Sequence, residues 1–328
     1  MFSKSISRHM TYKNVRRYFN SVLNNETLAS VISVECKDSI DRFLDRYDTF
    51  MFDCDGVLWR NDHITPIPGI NNAIQKLQSL NKRILYVTNN SIVSRDSLQR
   101  KFHSHGFESP LENIFGNGYS AAVFIKELLK VSGKVYLVGG AGMKWELDQV
   151  GLESVGMGSD SDTPSSDVND LLKYRLHDDI EAVLVGFDEH FSFNKICKAS
   201  TYISNPQCHF IATNSIEKGT FIGQADNRRR MPLTGMMVNA ISETANRIPV
   251  IVGKPNTVMF ECIKKKHDID NSRTVFIGDS LKADMGFAKT VGIDSALVLT
   301  GVSSLKDLRD CPDLTPTYVI NCFADIVT

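Results

Sequence analysis

The chain has 328 residues, of which 42% are hydrophobic and 23% are charged, a composition typical of a folded globular protein. Its formal net charge is -1, so no overall field favours nucleic acid or an anionic membrane surface as a partner. No apolar run approaches the ~20 residues that a helix needs to cross a bilayer. At ~100–200 residues per domain we expect two domains, with insertion of one in the other as an option.

Seven cysteines occur in the chain, and no two of them have CxxC spacing. The odd number and the spacing argue against a zinc site and a disulfide framework, so we expect free, mostly buried thiols and a reducing compartment. Cys54 stands between two aspartates that would oppose thiolate formation, and we expect it to pack. The seven positions are Cys36, Cys54, Cys197, Cys208, Cys262, Cys311 and Cys322.

The first 25 residues differ from the rest of the chain. They carry five basic side chains and no carboxylate, since the first acidic residue is Glu26. This composition resembles a mitochondrial transit segment, but one short basic stretch is common by chance, so we favour a weakly basic extension or a surface helix. We therefore expect a cytoplasmic protein, with the mitochondrion as the alternative compartment.

Short apolar runs alternate with helical periodicity along the chain. The first run is Thr49–Phe52, and the apolar spacing after Gly69 predicts a helix. A strand at 84–87 and a helix at 94–105 follow. Further strands are predicted at 135–138, 182–185, 210–212, 250–252, 275–277 and 296–299. Such alternation predicts an α/β fold with a doubly wound parallel sheet, covered by helices on both faces.

Polar side chains follow four of the predicted strands. In open α/β sheets ligands bind beyond the carboxyl ends of the strands, so we expect these four groups to converge on one crevice. In chain order the groups are Asp53 with Asp55, then Thr88 with Asn89 and Asn90, then Lys254, and finally Asp279 with Asp284.

The first group, Asp53 and Asp55, suits phosphate chemistry. One carboxylate can attack phosphorus and form an acyl phosphate, which divides a difficult displacement into two easier steps. The other can protonate the leaving oxygen and later activate water. A hard cation with oxygen ligands, Mg²⁺ above all, would offset the charge of Asp53 and of the phosphate.

The other three groups suit a phosphorylated ligand and its metal. The hydroxyl and backbone N–H groups of residues 88–90 suit phosphoryl oxygens. Lys254 supplies a compact positive charge. Asp279 would bind the metal, and Asp284 would be a carboxylate that supports it. Each fragment alone is common by chance, but their order, strand context and residue types agree across the chain.

Together the strings DCDGVL, TNN, GKP and GDSLKAD resemble the four motifs of haloacid dehalogenase-type phosphatases. Residues 185–214 and 252–260 further resemble the subgroup of 4-nitrophenylphosphatases, phosphoglycolate phosphatases and pyridoxal phosphatases. The similarity covers roughly residues 45–325. It implies a Rossmann-like core with an inserted α/β cap domain that closes over the active site and selects the substrate.

The resemblance also implies a role for each matched residue. Asp53 matches the nucleophile, Asp55 the general acid and base, and Lys254 the charge-neutralising lysine. Asp53, the backbone carbonyl of Asp55, and Asp279 match the magnesium ligands. The positions that match phosphate binding are Thr88, Asn89, Asn90 and Lys254.

The resemblance implies a domain organisation as well. We expect an N-terminal extension at 1–45, a first core segment at 46–130, the inserted cap at 131–248 and a second core segment at 249–328. Relatives form homodimers through the cap, so a homodimer is expected on the same ground.

The chain departs from its subgroup in two places. The fourth motif usually reads GDRLDTD, and here Ser280, Lys282 and Ala283 replace its arginine, aspartate and threonine, while Asp284 remains. The specificity loop contains Arg228–Arg230, which either form a solvated basic turn or receive a distal anionic group. Metal affinity and substrate preference are therefore the least transferable properties.

These observations predict Mg²⁺-dependent hydrolysis of a small phosphate monoester through an aspartyl-phosphate. A phosphoglycolate phosphatase is expected first, and a pyridoxal phosphate phosphatase or a catalytically impaired binding protein is the alternative. A phosphoacceptor receiver module has no inserted cap, and a dehalogenase does not need an acid such as Asp55.

Overall fold

The structure is a computed structural model that describes residues 32–34, 36–162, 167–215, 219–222 and 226–327. The basic segment 1–25 lies outside these described residues, so its expected targeting role stays a prediction. The chain forms two compact units. The first contains the described residues up to Ile84 and from Asp270 onward, and the second contains those of Leu85–Ile269.

The strands are numbered along the chain. They are β1 (Ile32–Ser33), β2 (Thr49–Phe52), β3 (Arg83–Thr88), β4 (Ile114–Gly116), β5 (Lys134–Val138), β6 (Ser154–Val155), β7 (Ile180–Val185), β8 (His209–Ala212), β9 (Gly219–Ile222), β10 (Arg229–Pro232), β11 (Val250–Ile251), β12 (Thr274–Gly278), β13 (Asp294–Val298) and β14 (Tyr318–Ile320).

The α-helices alternate with these strands, as expected for an α/β fold. They are α1 (Lys37–Arg46), α2 (Ile70–Ser79), α3 (Arg95–Ser104), α4 (Asn117–Val123), α5 (Ala141–Gln149), α6 (Phe193–Ile203), α7 (Thr234–Ala245), α8 (Val258–Lys266), α9 (Gly286–Val291) and α10 (Asp307–Asp310). Among the described residues, none of the helices combines the length and the apolar character needed to cross a membrane.

In the first unit, β1, β14, β13, β12 and β2 lie side by side in that order, and all of their pairings are parallel. Every residue of β2 and of β12 is buried, as the continuous apolar runs predict for a covered parallel sheet. Ile277 of β12 pairs with Phe52 of β2, so these two strands reach their carboxyl ends at the same level. The residues that follow them are therefore neighbours.

The second unit contains a parallel sheet of five strands, in the order β11, β8, β7, β5 and β6. Its core cluster includes residues of α6 and α7, such as Ala199 and Ile241, which are fully buried. In this unit β3 also pairs in parallel with β4, while β9 and β10 form an antiparallel pair.

The predicted α/β fold with parallel sheets and covering helices is confirmed. The predicted strands at 135–138, 182–185 and 210–212 lie within β5, β7 and β8, and the helix expected after Gly69 is α2. The strands that were not predicted, such as β4 and β14, have only two to four residues, too few for a periodic pattern. The domain boundaries expected at 130 and 248 stay a prediction.

A buried ion pair ties α3 to α5 in the second unit. Glu146 is 1% exposed and Arg95 is 7% exposed. One Glu146 oxygen accepts the Arg95 backbone N–H at 2.6 Å, and the other accepts Nε at 2.9 Å. The guanidinium also lies 3.2 Å from the ring centre of Tyr119. Burial raises the pKa of Glu146, and Arg95 opposes that rise.

Replacing one partner should therefore be costly. We expect Glu146→Gln to lower the free energy of unfolding by ~3–5 kcal/mol, because it leaves the Arg95 charge buried without a counter-charge. The matched control is Asp148→Asn on the same helix, which breaks the solvent-exposed pair with Lys144 and should cost at most ~0.5 kcal/mol. Urea unfolding followed by circular dichroism measures both, and equal shifts would contradict the expectation.

Candidate active site

Three buried carboxylates lie together at the carboxyl ends of β2 and β12 in the first unit. Asp53 follows β2 and Asp279 follows β12, and Asp284 comes from the π-helical turn Leu281–Met285. One oxygen from each of the three lies within 4.8 Å of the others. Their exposed fractions are 9%, 3% and 1% in chain order. The register of the two strands therefore assembles a compact acidic cluster.

Asp284 stabilises the turn that carries Asp279. Its Oδ2 accepts the backbone N–H groups of Asp279 at 3.1 Å and of Ser280 at 3.0 Å. Gly278 allows this approach, because a Cβ there would lie 2.3 Å from the Cβ of Asp284. The Asp284 carboxylate thus stabilises this turn in addition to its place in the acidic cluster, and its expected role beside a metal stays a prediction.

A loop after β13 encloses the Asp279 carboxylate and was missed by the sequence analysis. Oδ2 of Asp279 accepts the backbone N–H of Val302 at 2.7 Å. A Cβ on Gly301 would lie 1.8 Å from the same oxygen, and a Cβ on Gly56 would lie 2.3 Å from it. Thr300 donates its hydroxyl to the carbonyl of Gly56 at 2.5 Å. The available signal was a run of small and polar residues directly after an apolar strand.

The acidic cluster fits a hard divalent cation. Its three members offer only carboxylate oxygens, the donors that Mg²⁺ takes in proteins, and offer no nitrogen or sulfur that would favour zinc. Asp53 and Asp279 are the members at strand ends. The carboxylate of Asp55 is not part of this cluster, and a metal contact through its backbone carbonyl stays a prediction.

Asp55 stands two residues after Asp53 in a different environment. Its side chain is 27% exposed. Oδ1 accepts a hydrogen bond from Nε1 of the buried Trp59 at 2.5 Å. Nδ1 of His63 lies 2.6 Å from the same oxygen. Gly56 follows with a φ of 78°, a left-handed conformation that suits glycine and turns the chain directly after Asp55.

The second and third motifs meet in the second unit. Oδ1 of Asn89 accepts the backbone N–H of Lys254 at 2.9 Å, and Nδ2 of Asn89 donates to the Lys254 carbonyl at 3.1 Å. The side-chain amide therefore pairs with the backbone in the manner of a neighbouring strand. This contact holds the Lys254 segment and occupies Oδ1 and one of the two N–H groups of the Asn89 amide.

Asn117 and Gly253 complete this arrangement and were not predicted. Fully buried Asn117 donates Nδ2 to the Asn89 carbonyl at 2.8 Å. A Cβ on Gly253 would lie 2.7 Å from that Nδ2 and 2.8 Å from Oδ1 of Asn89. The glycine of the GKP motif is thus required by close packing between the two motifs.

Lys254 and Thr88 are both buried in the second unit, at 2% and 1% exposure. Nζ of Lys254 donates to the carbonyl of Val87 at 2.8 Å. The hydroxyl of Thr88 accepts the backbone N–H of Asn90 at 3.2 Å, and Oδ1 of Asn90 accepts that of Ile92 at 2.9 Å. The second motif is therefore a hydrogen-bonded turn at the end of β3.

The departures in the fourth motif leave the acidic cluster intact. Ser280 accepts the backbone N–H of Ala283 at 3.2 Å and so caps the π-helical turn. Lys282 is exposed and Ala283 is half-buried. None of the three substitutions interrupts the hydrogen bonds that the backbone N–H groups of the turn donate to Asp284.

The arginines of the specificity loop, His190 and the cysteines make other contacts. The guanidinium groups of Arg228 and Arg230 lie 3.8 and 4.5 Å from the ring centre of Phe221, on an exposed hairpin. His190 contacts the hydroxyl of Ser159 at 3.2 Å. Cys54 is buried, as expected. The seven cysteines are free thiols, of which three are buried.

Known proteins resemble this chain along most of its length. Residues 50–153 match the family described as haloacid dehalogenase-like hydrolase, and residues 251–326 match a second description of HAD-like hydrolases. A 4-nitrophenylphosphatase of Schizosaccharomyces pombe is 36% identical over 87% of this chain and 94% of its own length. A glycerol-3-phosphate phosphatase of Gallus gallus is 36% identical over 85% of this chain and 91% of its own.

A solved structure shares the fold as well. The p-nitrophenyl phosphatase of Archaeoglobus fulgidus superposes with a TM-score of 0.70 and is 29% identical, covering 86% of this chain and 98% of its own.

The close approach of Gly301 to the Asp279 carboxylate can be tested by substitution. We expect Gly301→Ala to weaken Mg²⁺ binding by ~10–100-fold, the usual effect of disturbing the groups that orient a metal ligand, because the added Cβ displaces the Asp279 carboxylate. The control is Gly118→Ala, where the nearest atom lies at an ordinary 3.5 Å. Titration calorimetry with Mg²⁺ measures the effect, and unchanged affinity in Gly301→Ala would contradict the enclosure.

Proposed function

Because the chain belongs to the haloacid dehalogenase-like hydrolase family and is a phosphatase, we propose that it hydrolyses a small phosphate monoester through an aspartyl-phosphate on Asp53. The proposal includes Mg²⁺ as the cofactor, held by Asp53, Asp279 and the backbone carbonyl of Asp55. Asp284 would support this site by stabilising the turn that carries Asp279. Within it, Asp55 serves as general acid and base.

The observation that carries this proposal is the different environment of two carboxylates that stand two residues apart. Asp53 is buried in the acidic cluster with Asp279 and Asp284. Asp55 lies outside the cluster, partly exposed and hydrogen-bonded to Trp59 and His63. Paired carboxylates in unlike surroundings can divide the roles of nucleophile and proton carrier.

In the first step, a carboxylate oxygen of Asp53 attacks phosphorus while the bond from phosphorus to the ester oxygen breaks. The leaving oxygen takes the proton of Asp55, so an alcohol departs and Asp53 becomes an acyl phosphate. When bound, Mg²⁺ supplies positive charge that offsets the charge of the phosphoryl oxygens.

In the second step, water attacks the phosphorus of the acyl phosphate. Asp55, now ionised, accepts a proton from this water as the bond from phosphorus to Asp53 breaks. Inorganic phosphate leaves, and Asp53 and the protonated Asp55 are restored.

We propose that Thr88, Lys254 and the backbone of the 89–90 turn bind the phosphoryl oxygens. The support is chemical: a buried ammonium group and a buried hydroxyl at consecutive motifs suit an anion. The hydrogen bonds between Asn89 and Lys254 hold the two motifs together, so they could act as one binding element.

For the substrate we propose 2-phosphoglycolate first, with pyridoxal 5′-phosphate as the alternative. Glycerol 3-phosphate joins them, because a similar avian protein is named for it. A catalytically impaired binding protein is the competing proposal, and the intact acidic cluster supports turnover against it. A homodimer through the cap, residence in the cytoplasm and the mitochondrial alternative belong to the same proposal and rest on the sequence alone.

The decisive experiment measures phosphate release from 2-phosphoglycolate, pyridoxal 5′-phosphate, glycerol 3-phosphate and 4-nitrophenyl phosphate with Mg²⁺. We expect Asp53→Asn to lose essentially all turnover, because an amide is a poor nucleophile. The matched control, Asp48→Asn, removes an exposed partner of Arg273 just before β2 and should retain full activity. We expect Asp55→Asn, given 4-nitrophenyl phosphate, to gain the mass of one phosphoryl group. Full turnover by Asp53→Asn would overturn the proposal.

The metal requirement is tested separately. We expect dialysis against EDTA to abolish phosphate release and Mg²⁺ to restore it, because the phosphoryl group would otherwise meet the acidic cluster without compensating charge. Asp279→Asn should raise the Mg²⁺ concentration needed for half-maximal activity by ~10-fold or more. Equal turnover in EDTA would contradict the role proposed for Asp279.

A further inference from the structure

We propose that His63 is a positioning residue for Asp55: with Trp59 it holds Oδ1, so that Oδ2 carries the proton given to the leaving group. This inference rests on the proposed function and adds to it a residue that none of the four motifs contains. His63 lies eight residues beyond Asp55 in the loop that follows the first motif.

Both hydrogen bonds to the Asp55 side chain end on the same oxygen. The indole Nε1 of Trp59 lies 2.5 Å from Oδ1, and Nδ1 of His63 lies 2.6 Å from it. A carboxylate oxygen has about two lone-pair positions, so these two contacts saturate Oδ1. In the described part of the chain, Oδ2 is left as the oxygen that can exchange a proton with a substrate.

The direction of the His63 contact follows from its chemistry. Oδ1 only accepts hydrogen bonds when Asp55 is ionised or carries its proton on Oδ2, so in the proposed arrangement Nδ1 of His63 carries a hydrogen and donates a hydrogen bond to Oδ1. Trp59 is 1% exposed and is therefore a fixed donor, whereas the His63 side chain is 65% exposed. Burial therefore does not fix the position of His63, whereas its loop can support it.

The loop has its own hydrogen-bonded frame. The Asp62 carboxylate accepts the backbone N–H groups of Ile64 and Thr65, each at 2.9 Å, and the Thr65 hydroxyl at 2.6 Å. These bonds lower the pKa of Asp62 to about 2. Arg60 donates its N–H to the Thr65 carbonyl at 2.8 Å, which closes the loop. His63 has a φ of 57°, and this left-handed conformation is sustained by the surrounding frame.

The role should depend on the leaving group. An alkyl phosphate releases a strongly basic alkoxide, which needs the proton of a correctly oriented Asp55, whereas 4-nitrophenolate leaves readily without one. Loss of the His63 contact should therefore slow the hydrolysis of alkyl phosphates far more than that of 4-nitrophenyl phosphate. A change that only loosened the fold would affect both substrates alike.

The test compares kcat/KM for 4-nitrophenyl phosphate with kcat/KM for the alkyl phosphate that the full-length chain hydrolyses best. For each substrate, kcat/KM reports the steps up to formation of the aspartyl-phosphate. The later use of Asp55 as a base therefore does not affect it. His63→Ala should lower the alkyl value by ~10–100-fold and the 4-nitrophenyl value by less than ~3-fold. His103→Ala, at an exposed histidine of α3, is the control and should change neither value.

Two further variants separate orientation from loss of the ring. Asparagine can place an amide N–H where Nδ1 of histidine stands, whereas glutamine reaches the position of Nε2. We therefore expect His63→Asn to recover most of the alkyl activity and His63→Gln to recover little. Equal losses on both substrates, no loss in His63→Ala, or equal recovery by the two amides would overturn the role of His63. Absence of turnover in the unmodified chain would instead overturn the proposed function.

Discussion

The parallel pairing of β2 with β12 is the constraint on which the acidic cluster depends. Ile277 stands opposite Phe52, and the N–H of Asp53 extends the ladder by one bond to the Ile277 carbonyl at 2.9 Å. Asp53 and Asp279 are thereby carried to the same edge by two buried strands. Adjacent buried carboxylates repel each other. The covered strands and the enclosing backbone N–H groups must therefore hold the carboxylates of the acidic cluster together against this repulsion.

The enclosure of these carboxylates is made largely of backbone. Val302 and Ser280 contribute N–H groups to Asp279 and Asp284, while Gly56 and Gly301 leave room that no larger residue would leave. Backbone donors cannot turn away as side chains can, so the geometry is set in advance of ligand binding. This also explains why Ser280, Lys282 and Ala283 can differ from the subgroup without dispersing the acidic cluster.

In the second unit, too, hydrogen bonds to the backbone hold the motifs in place. The Asn89 amide pairs with both backbone polar groups of Lys254, and Asn117 in turn holds the Asn89 carbonyl. Asn89, which belongs to a motif that suits phosphate, thus uses its side chain to hold the backbone of another motif. At Asp55 the side chain itself is held by other side chains. Trp59 and His63 both contact Oδ1, which leaves Oδ2 for proton exchange with a substrate in the proposed mechanism.

The sequence by itself determined the fold class, the family and the strand-end placement of Asp53 and Asp279, because apolar runs and motif order are local patterns. Only the tertiary structure decided which side chains meet. Gly301 and Asn117 lie on segments remote from the motifs they serve, and the bonds of Asn89 run to a residue 165 positions away. Such contacts depend on register and on close packing between elements, which no periodicity along the chain records. The contact of His63 depends on the backbone of a short irregular loop, where composition carries little conformational information.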